Sequence, residues 1–493
     1  MISGPMTPPV RTLADIAPLA PELVVILGAF ALLMLDLFVD ERRRFVTQAL
    51  AVVVLAVAAA MIGFGVGGHG VALAGMFVRD TTADVLKLSL LVASAVSLLY
   101  IWPFLRERGL YKGEVPVLVL FASAGMMLLV SAGNLTMVYV GLELLALCQY
   151  ALVATDRDSP VASEAAMKYF VLGALASGML LYGMSLVYGA TGSLDLPTIN
   201  AAAAGLQGEG RTLLLTGTVF LVVGIAFKFG AAPFHMWLPD AYHGAPTAIT
   251  VFIGAAPTLA TFGMAYRLLE TGVGPLFPQW QLLLAGLAAL SLVVGNLFAL
   301  PQTNLKRLLA YSTVSHIGFL FLGLAGGGPD GYAAAMFYAI SYVLMALASW
   351  SAIVMLSRRD FEADRIDDYR GLNVRSPWMA GLILCIMASL AGVPPFLGFW
   401  AKLVVLRAAL EGGLMWLAIV GIVFAVVGAF YYLRVIRVMY FDEPQSMAGG
   451  PGTMQPRPGL MLRAVFVANA LALLVLGLFW SPIMAWCQYA FGA

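Results

Sequence analysis

Apolar residues in this chain fall into fourteen stretches, each near the ~20 residues that a helix needs to cross a hydrocarbon core of ~30 Å. In lipid every backbone N–H and C=O must be satisfied within the chain, so such stretches fold as spanning helices. The spans read as 21–39, 46–66, 84–104, 114–132, 134–154, 162–189, 213–239, 247–270, 281–300, 304–325, 331–356, 377–407, 414–440 and 463–486. Of 493 residues only 11% are charged and 61% are hydrophobic, with a mean hydropathy of +0.93. A soluble domain carries about 25% charged residues, so the fold class is an all-α polytopic membrane protein. A net charge of +1 gives no sign of nucleic acid as a partner; the basic residues report topology instead.

Loops on one side hold Arg42, Arg43, Arg44, Arg106, Arg108, Lys112, Arg157, Lys306, Arg307, Arg358, Arg359, Arg365, Arg370, Arg375, Arg434, Arg437, Arg457 and Arg463. The other loops hold Arg11, Arg79 and Arg211. The positive-inside rule makes the rich side cytoplasmic, and an even number of spans puts both termini on the opposite face. The first residues, Met1 to Pro21, are too proline-rich and too polar for a secretory h-region, so no cleaved signal is expected. Cys148, Cys385 and Cys487 lie in separate spans without paired spacing, which suits small core residues rather than a zinc or iron-sulfur site.

Two spans are interrupted. The seventh contains Phe227-Lys228-Phe229-Gly230-Ala231-Ala232-Pro233, and the twelfth contains Gly392-Val393-Pro394-Pro395-Phe396 followed by Lys402. Unwound backbone at membrane depth is tolerated only where protein or a watery cavity encloses it, and inverted repeats put such breaks at corresponding positions. Breaks in spans 7 and 12 are an odd number of helices apart. A five-helix unit at spans 4–8 recurring at 9–13 therefore runs upside down. The expected organisation is helices 1–3 (1–113), a first repeat (114–270), a second repeat (281–440), and a loop with helix 14 (441–493).

Lys168, Lys228, Lys402 and Glu143 are ionisable residues inside otherwise apolar spans. Each costs at least ~2.5–3.5 kcal/mol at the bilayer centre, so several together point to an internal route for protons or ions.

The segments Gly141-Leu142-Glu143-Leu144, Glu164 to Ala174 around Met167-Lys168-Tyr169-Phe170, Lys228 to Trp237 with Leu238-Pro239-Asp240-Ala241-Tyr242, Asn304 to Ser312, and Pro394 to Lys402 carry a resemblance. Over nearly its whole length the chain resembles the antiporter-like membrane subunits of respiratory NADH:quinone oxidoreductase (complex I). The Met167-Lys168-Tyr169-Phe170 segment followed by Gly173-Ala174 favours one paralogue. A lysine rather than a glutamate in the second broken helix sets it apart from another, and the lack of a lateral extension after span 14 from a third.

The resemblance implies roles. Glu143 pairs with Lys228, and opening the pair releases a proton, since a carboxylate holds the lysine charged while desolvation works against it. The alternative is a static buried salt bridge. Lys168 modulates the pair, or simply snorkels. Lys402 is the terminal carrier, or anchors the broken helix by donating to freed carbonyls. Where the family usually has a lysine on span 8, this chain has Pro257-Thr258, and a hydroxyl holds no stable charge at neutral pH. His316 on span 10 is a substitute relay, or a neutral histidine bound to a backbone carbonyl.

Elsewhere, Lys87 and Asp84 read as snorkelling at the outer end of span 3, Asp36 as interfacial, and Glu22 and Asp36 as contacts for neighbouring chains. His235, Asp240 and His243 read as loop-stabilising hydrogen bonders, with proton entry as the alternative. Lys306-Arg307 read as a headgroup anchor, and Trp102, Trp350, Trp378 and Trp480 as an aromatic belt.

No dinucleotide fingerprint, haem ligand pair or cluster-binding cysteine run occurs, so the expectation is no cofactor in this chain. The resemblance puts NADH, FMN, iron-sulfur clusters and quinone in partner subunits. Those partners would be an antiporter-like neighbour and small membrane subunits in a hetero-oligomer of the bacterial inner membrane. Competing readings are a multisubunit cation/proton antiporter component, a small-solute transporter and a non-pumping scaffold.

Overall fold

The computed structural model describes residues 13–444 and 459–492. Arg11 and Arg457 lie outside them. Among the described residues twelve helices are long and apolar enough to cross a membrane. The other two expected crossings are the shorter apolar helix Glu114–Val130 and the pair Pro377–Ala391 and Leu397–Glu411.

The N-terminal part consists of α1 (Ala20–Asp36), α2 (Phe45–Gly63) and α3 (Thr81–Glu107), with an antiparallel hairpin, β1 (Gly70–Ala72) and β2 (Phe77–Arg79), before α3. There follow α4 (Glu114–Val130), α5 (Leu135–Val153), α6 (Pro160–Thr191), the short connector α7 (Leu196–Gly205), α8 (Gly208–Phe229) and α9 (Trp237–Gly244). Next come α10 (Thr247–Ile253), α11 (Ala256–Tyr266), α12 (Phe277–Ala299), α13 (Leu305–Gly326) and α14 (Gly328–Leu356). The chain closes with α15 (Leu372–Arg375), α16 (Pro377–Ala391), α17 (Leu397–Glu411), α18 (Met415–Phe441), α19 (Leu460–Leu478) and α20 (Ser481–Phe491).

Helix starts follow local chemistry. Asp80, Asn134, Ser159, Asp195 and Asn304 each cap a helix by accepting a backbone N–H with the side chain, which satisfies a donor that the helix leaves free. Gly183 and Gly217 let α6 and α8 touch: a Cβ on either would come within 3.0 Å of the other's carbonyl oxygen. Over the most apolar 18 residues of Thr247–Gly272, Leu305–Gly326 and Gly328–Leu356, 94%, 94% and 89% of the residues are buried, so these segments form the centre. α2, α6, α18 and α19 are about one-third buried and face outward.

Both expected breaks are present and use one device. α8 ends in Gly230 at φ +75° and α16 in Gly392 at φ +86°, a left-handed cap that favours glycine. Three expectations change. Span 8 is also interrupted, at Gly254-Ala255, with Pro257 in the first turn of α11 and a π-turn over Arg267–Gly272. The run 463–486 is two helices, α19 and α20, because Ser481-Pro482 restarts the chain. Trp350 is no belt residue: it is 1% exposed and packs edge-on against Tyr242.

Candidate functional site

α5, α6, α8, α9 and α13 bring the first group of polar residues together. Lys228 sits in the last turn of α8, and its Nζ donates to Gln149 Oε1 at 2.8 Å. The same oxygen accepts from the Tyr169 hydroxyl at 3.0 Å. Tyr169 stacks on Trp237, the first residue of α9, at 4.4 Å, and Trp237 Nε1 donates to the Phe227 carbonyl. The broken helix is thus stitched across its own gap, and Lys228 is held at the level of Gln149.

Glu143 lies six residues earlier on α5, roughly 9 Å along the axis. It shares a face with the exposed Val140 and Leu147, and its Oε1 is buried without a hydrogen-bond partner. The pair expected between Glu143 and Lys228 is therefore replaced by Lys228–Gln149, since the last turn of α8 meets α5 nearer its C-terminal end. Tyr169 stands in the Met167-Lys168-Tyr169-Phe170 segment without a role of its own, and Gln149 stands in no motif; an amide in an apolar span was the available signal for it.

Lys168 faces outward from α6 and binds Glu164 at 2.8 Å and Asp240 at 2.9 Å. Asp240 also accepts from Arg307 at 3.2 Å. This ties α6 to α9 and α13 and gives Asp240 the fastening role read for it. His243 stands 4.0 Å from Asp364, and His235 Nδ1 is buried without a hydrogen-bond partner. The headgroup role read for Lys306-Arg307 is overturned: Lys306 is 2% exposed, donates to the Ala245 carbonyl at 2.8 Å and faces Glu362 at 3.6 Å. Burial works against the charge on Glu362, but Lys306, the Thr247 hydroxyl and Arg108 outweigh it and hold its carboxyl below the usual range.

The second break positions Lys402. Its Nζ donates to the Leu390 and Ala391 carbonyls, both at 2.9 Å, which are the acceptors left free where α16 stops. It also lies 5.2 Å from the centre of the Phe319 ring. This is the anchoring geometry. His316 is fully enclosed, but hydroxyls rather than a carbonyl engage it: Tyr338 at Nδ1 (2.6 Å) and Tyr432 at Nε2 (3.2 Å). Tyr432 also bonds Ser312; Tyr342 donates to Thr313 at 2.9 Å, and Tyr431 to Asn296 at 3.1 Å. Thr258 is half-buried just after the third break, and its backbone N–H returns to the Ala255 carbonyl.

A further cluster was misread. Lys87 and Glu22 are both fully buried and stand 2.6 Å apart, so neither snorkelling nor a neighbouring chain accounts for them. Lys87 also lies over the Phe77 ring at 4.8 Å. Toward the surface Asp84 binds Arg79 at 2.8 Å and His69 at 3.1 Å, while Asp80 binds Arg267 at 2.8 Å. Asp36 accepts from Thr47 at 2.9 Å within this chain.

Residues 132–428 match the family described as NADH:quinone oxidoreductase/Mrp antiporter, transmembrane. Over 100% of this chain and 99% of the relative, it is 65% identical to NADH-quinone oxidoreductase subunit N of Xanthomonas euvesicatoria pv. vesicatoria (strain 85-10). It superposes on a chain of respiratory complex I from Thermus thermophilus with bound aureothin at a TM-score of 0.79 and 32% identity, covering 94% of this chain and 98% of that one. A chain of the Mrp complex from Dietzia sp. DQ12-45-1b, 23% identical, shares the fold at a TM-score of 0.83, covering 98% and 97%.

Proposed function

Since this chain belongs to the NADH:quinone oxidoreductase/Mrp antiporter family and aligns end to end with subunit N of NADH-quinone oxidoreductase, we propose that it is a proton-translocating membrane-arm subunit of that complex. NADH oxidation, flavin and iron-sulfur electron transfer and quinone reduction belong to partner subunits. This chain uses the free energy that they transmit.

The observation that carries the reading is Lys228, held by one neutral acceptor at a helix break with an unpartnered carboxylate two turns away on the same neighbouring helix. A carboxylate that approached Lys228 would hold its proton, and one that receded would release it. Glu143 lies on an outward face, which supports a neighbouring membrane subunit as the element that moves or compensates its charge. Moving one proton against ~100 mV costs ~2.3 kcal/mol, a size that displacing a single ion pair can supply.

Lys168 with Asp240 serves the arginine-rich side, proposed as cytoplasmic. Lys402 with the hydroxyl-ringed His316 serves the second half, and Thr258 orders water where a charge is absent. The matching left-handed glycine breaks support two inverted five-helix units, spans 4–8 and 9–13. The termini then lie on the periplasmic side of a bacterial inner membrane.

Lys402 supports a second reading, a scaffold that does not pump, because its observed bonds are those of a helix anchor. The test is Lys228→Ala in membranes, with NADH-driven quinone reduction, proton uptake and a native gel for assembly. The proposal expects an assembled complex that loses turnover and pumping. Assembly with both activities normal would leave the scaffold. Copurification with ion-antiporter subunits and no redox subunits would instead favour the cation/proton antiporter alternative.

A further inference from the structure

At each break a serine hydroxyl takes a backbone N–H, but the two serines come from different places. At the second break the Gly398 N–H, early in α17, donates to Ser389 Oγ of α16 at 3.2 Å, so the broken span satisfies itself. At the first break the Ala232 N–H donates to Ser291 Oγ at 2.9 Å, and Ser291 belongs to α12. Ala232 stands four residues after Lys228, and both it and Ser291 are fully buried. An amide N–H at membrane depth needs an acceptor, and Ser389 shows that a break can find one in its own span. α12 opens the second of the two five-helix units proposed above. The gap beside Lys228 is thus fastened across the boundary between the units.

Five residues beyond Ser291, roughly 7.5 Å along the axis of α12, stands Asn296, which is buried. Its Nδ2 donates to Ser315 Oγ of α13 at 2.8 Å, and its Oδ1 accepts from the Tyr431 hydroxyl of α18 at 3.1 Å. Ser315 precedes His316, and Tyr431 precedes Tyr432, whose hydroxyl meets His316 Nε2. One amide therefore holds the residue before each partner of the His316–Tyr432 contact. α12 and α13 are also locked together. A Cβ on Gly295 would come within 2.5 Å of the Ser315 nitrogen, and one on Gly318 within 3.0 Å of the Ala288 carbonyl oxygen. Helices packed this closely shift as a unit rather than deform.

We propose that Ser291 is a positioning residue that ties the helix break beside Lys228 to the pocket of His316. Its hydroxyl fixes the unwound backbone after Lys228. α12 carries the position of that backbone to Asn296, which passes it to Ser315 and Tyr431. A shift of residues 230–233 then resets the tyrosine hydroxyls around His316, and a change at His316 acts back on the break. The inference rests on the proton-translocation reading, in which Lys228 serves the first half and His316 the second.

The experiment uses the whole purified complex in sealed liposomes, with assembly matched on a native gel, and reads steady-state NADH-driven quinone reduction. Ser291→Ala removes one oxygen atom from a site that stays filled. It is expected to lower kcat at least fivefold while the KM values for NADH and for quinone, whose sites lie in partner subunits, stay within twofold. Asn296→Leu, similar in shape but without either hydrogen bond, should slow turnover to a like degree. If that variant does not assemble, Tyr431→Phe, which removes only the oxygen that donates to Asn296, takes its place. The double variant with Ser291→Ala should be within twofold of the slower single, because both substitutions cut one link. Effects that multiply in the double variant would overturn the inference. Lys228→Ala runs alongside: turnover lost there but kept in Ser291→Ala overturns this inference alone, whereas normal turnover in Lys228→Ala removes the reading beneath it.

Discussion

Lys228 and Gln149 are joined by a 2.8 Å hydrogen bond, and this amide, not the carboxylate of Glu143, is the group in contact with the lysine at the first helix break. A hydrogen bond to a charged group contributes about 1.5–3 kcal/mol, and a tenfold change in rate corresponds to about 1.4 kcal/mol. Gln149→Leu is therefore expected to lower NADH-driven quinone reduction by about tenfold or more while the complex still assembles. Gln149→Glu, which puts a fixed carboxylate against Lys228, is expected to slow turnover as well by holding the proton. Steady-state assays on the two variants check this, and wild-type rates in both would contradict it.

Lys402 donates to two carbonyls freed by the second break, and that bond pattern makes a thermal prediction. Lys402→Ala leaves both acceptors to find other partners in a buried setting, at about 1–3 kcal/mol each. The variant should melt several degrees lower by differential scanning fluorimetry. Lys402→Arg keeps donors in reach and should recover part of the loss. Equal melting of all three proteins would remove the anchoring role.

The fully buried Glu22–Lys87 pair gives a sharper contrast. Breaking a buried pair by removing one partner costs about 3–5 kcal/mol, whereas replacing both is often close to neutral. Lys87→Met alone should reduce the assembled complex on a native gel. Glu22→Gln with Lys87→Met should restore much of it. A single variant as stable as wild type would return Lys87 to a snorkelling role.

Glu362 lies in the loop after α14, and Lys306, Thr247 and Arg108 keep its carboxyl below the usual range. A carboxylate whose folded value is depressed stabilises the fold fully above its ordinary value of ~4.3. That stability fades as pH falls through the folded value. Acidification from about pH 6 toward pH 3 should therefore loosen this loop in the wild-type protein. Glu362→Gln should start less stable at pH 7 and lose less across that range. Limited proteolysis of the loop at stepped pH reads the difference.

Much of the architecture was legible because its signals are local. Apolar runs give the crossings, and the Gly230–Pro233 and Gly392–Pro395 segments give the two breaks, since proline and glycine act where they stand. The third break, at Gly254-Ala255, and the restart at Ser481-Pro482 carried the same punctuation inside runs that otherwise read as continuous. The partners were not legible. Lys87 has the depth of a snorkelling residue, and only the fold, which brings Glu22 of α1 to its ammonium, reveals the partner. Lys306 reads as a headgroup anchor until the loop bearing Glu362 folds over it. The lysine positions at both breaks came from the chain and its resemblance, while Gln149, Tyr169 and the tyrosines around His316 required the fold. Aromatic hydroxyls inside apolar helices look like ordinary core until a histidine is found between them.

The central claim is that Lys228 is a proton site coupled to redox turnover. The most direct measurement is the ratio of protons moved to NADH oxidised by the purified complex in sealed liposomes, wild type against Lys228→Ala, with assembly matched on a native gel. The account predicts that the variant assembles but loses most of its turnover and proton uptake. A variant that oxidises NADH at the wild-type rate and moves the same number of protons per NADH would contradict it.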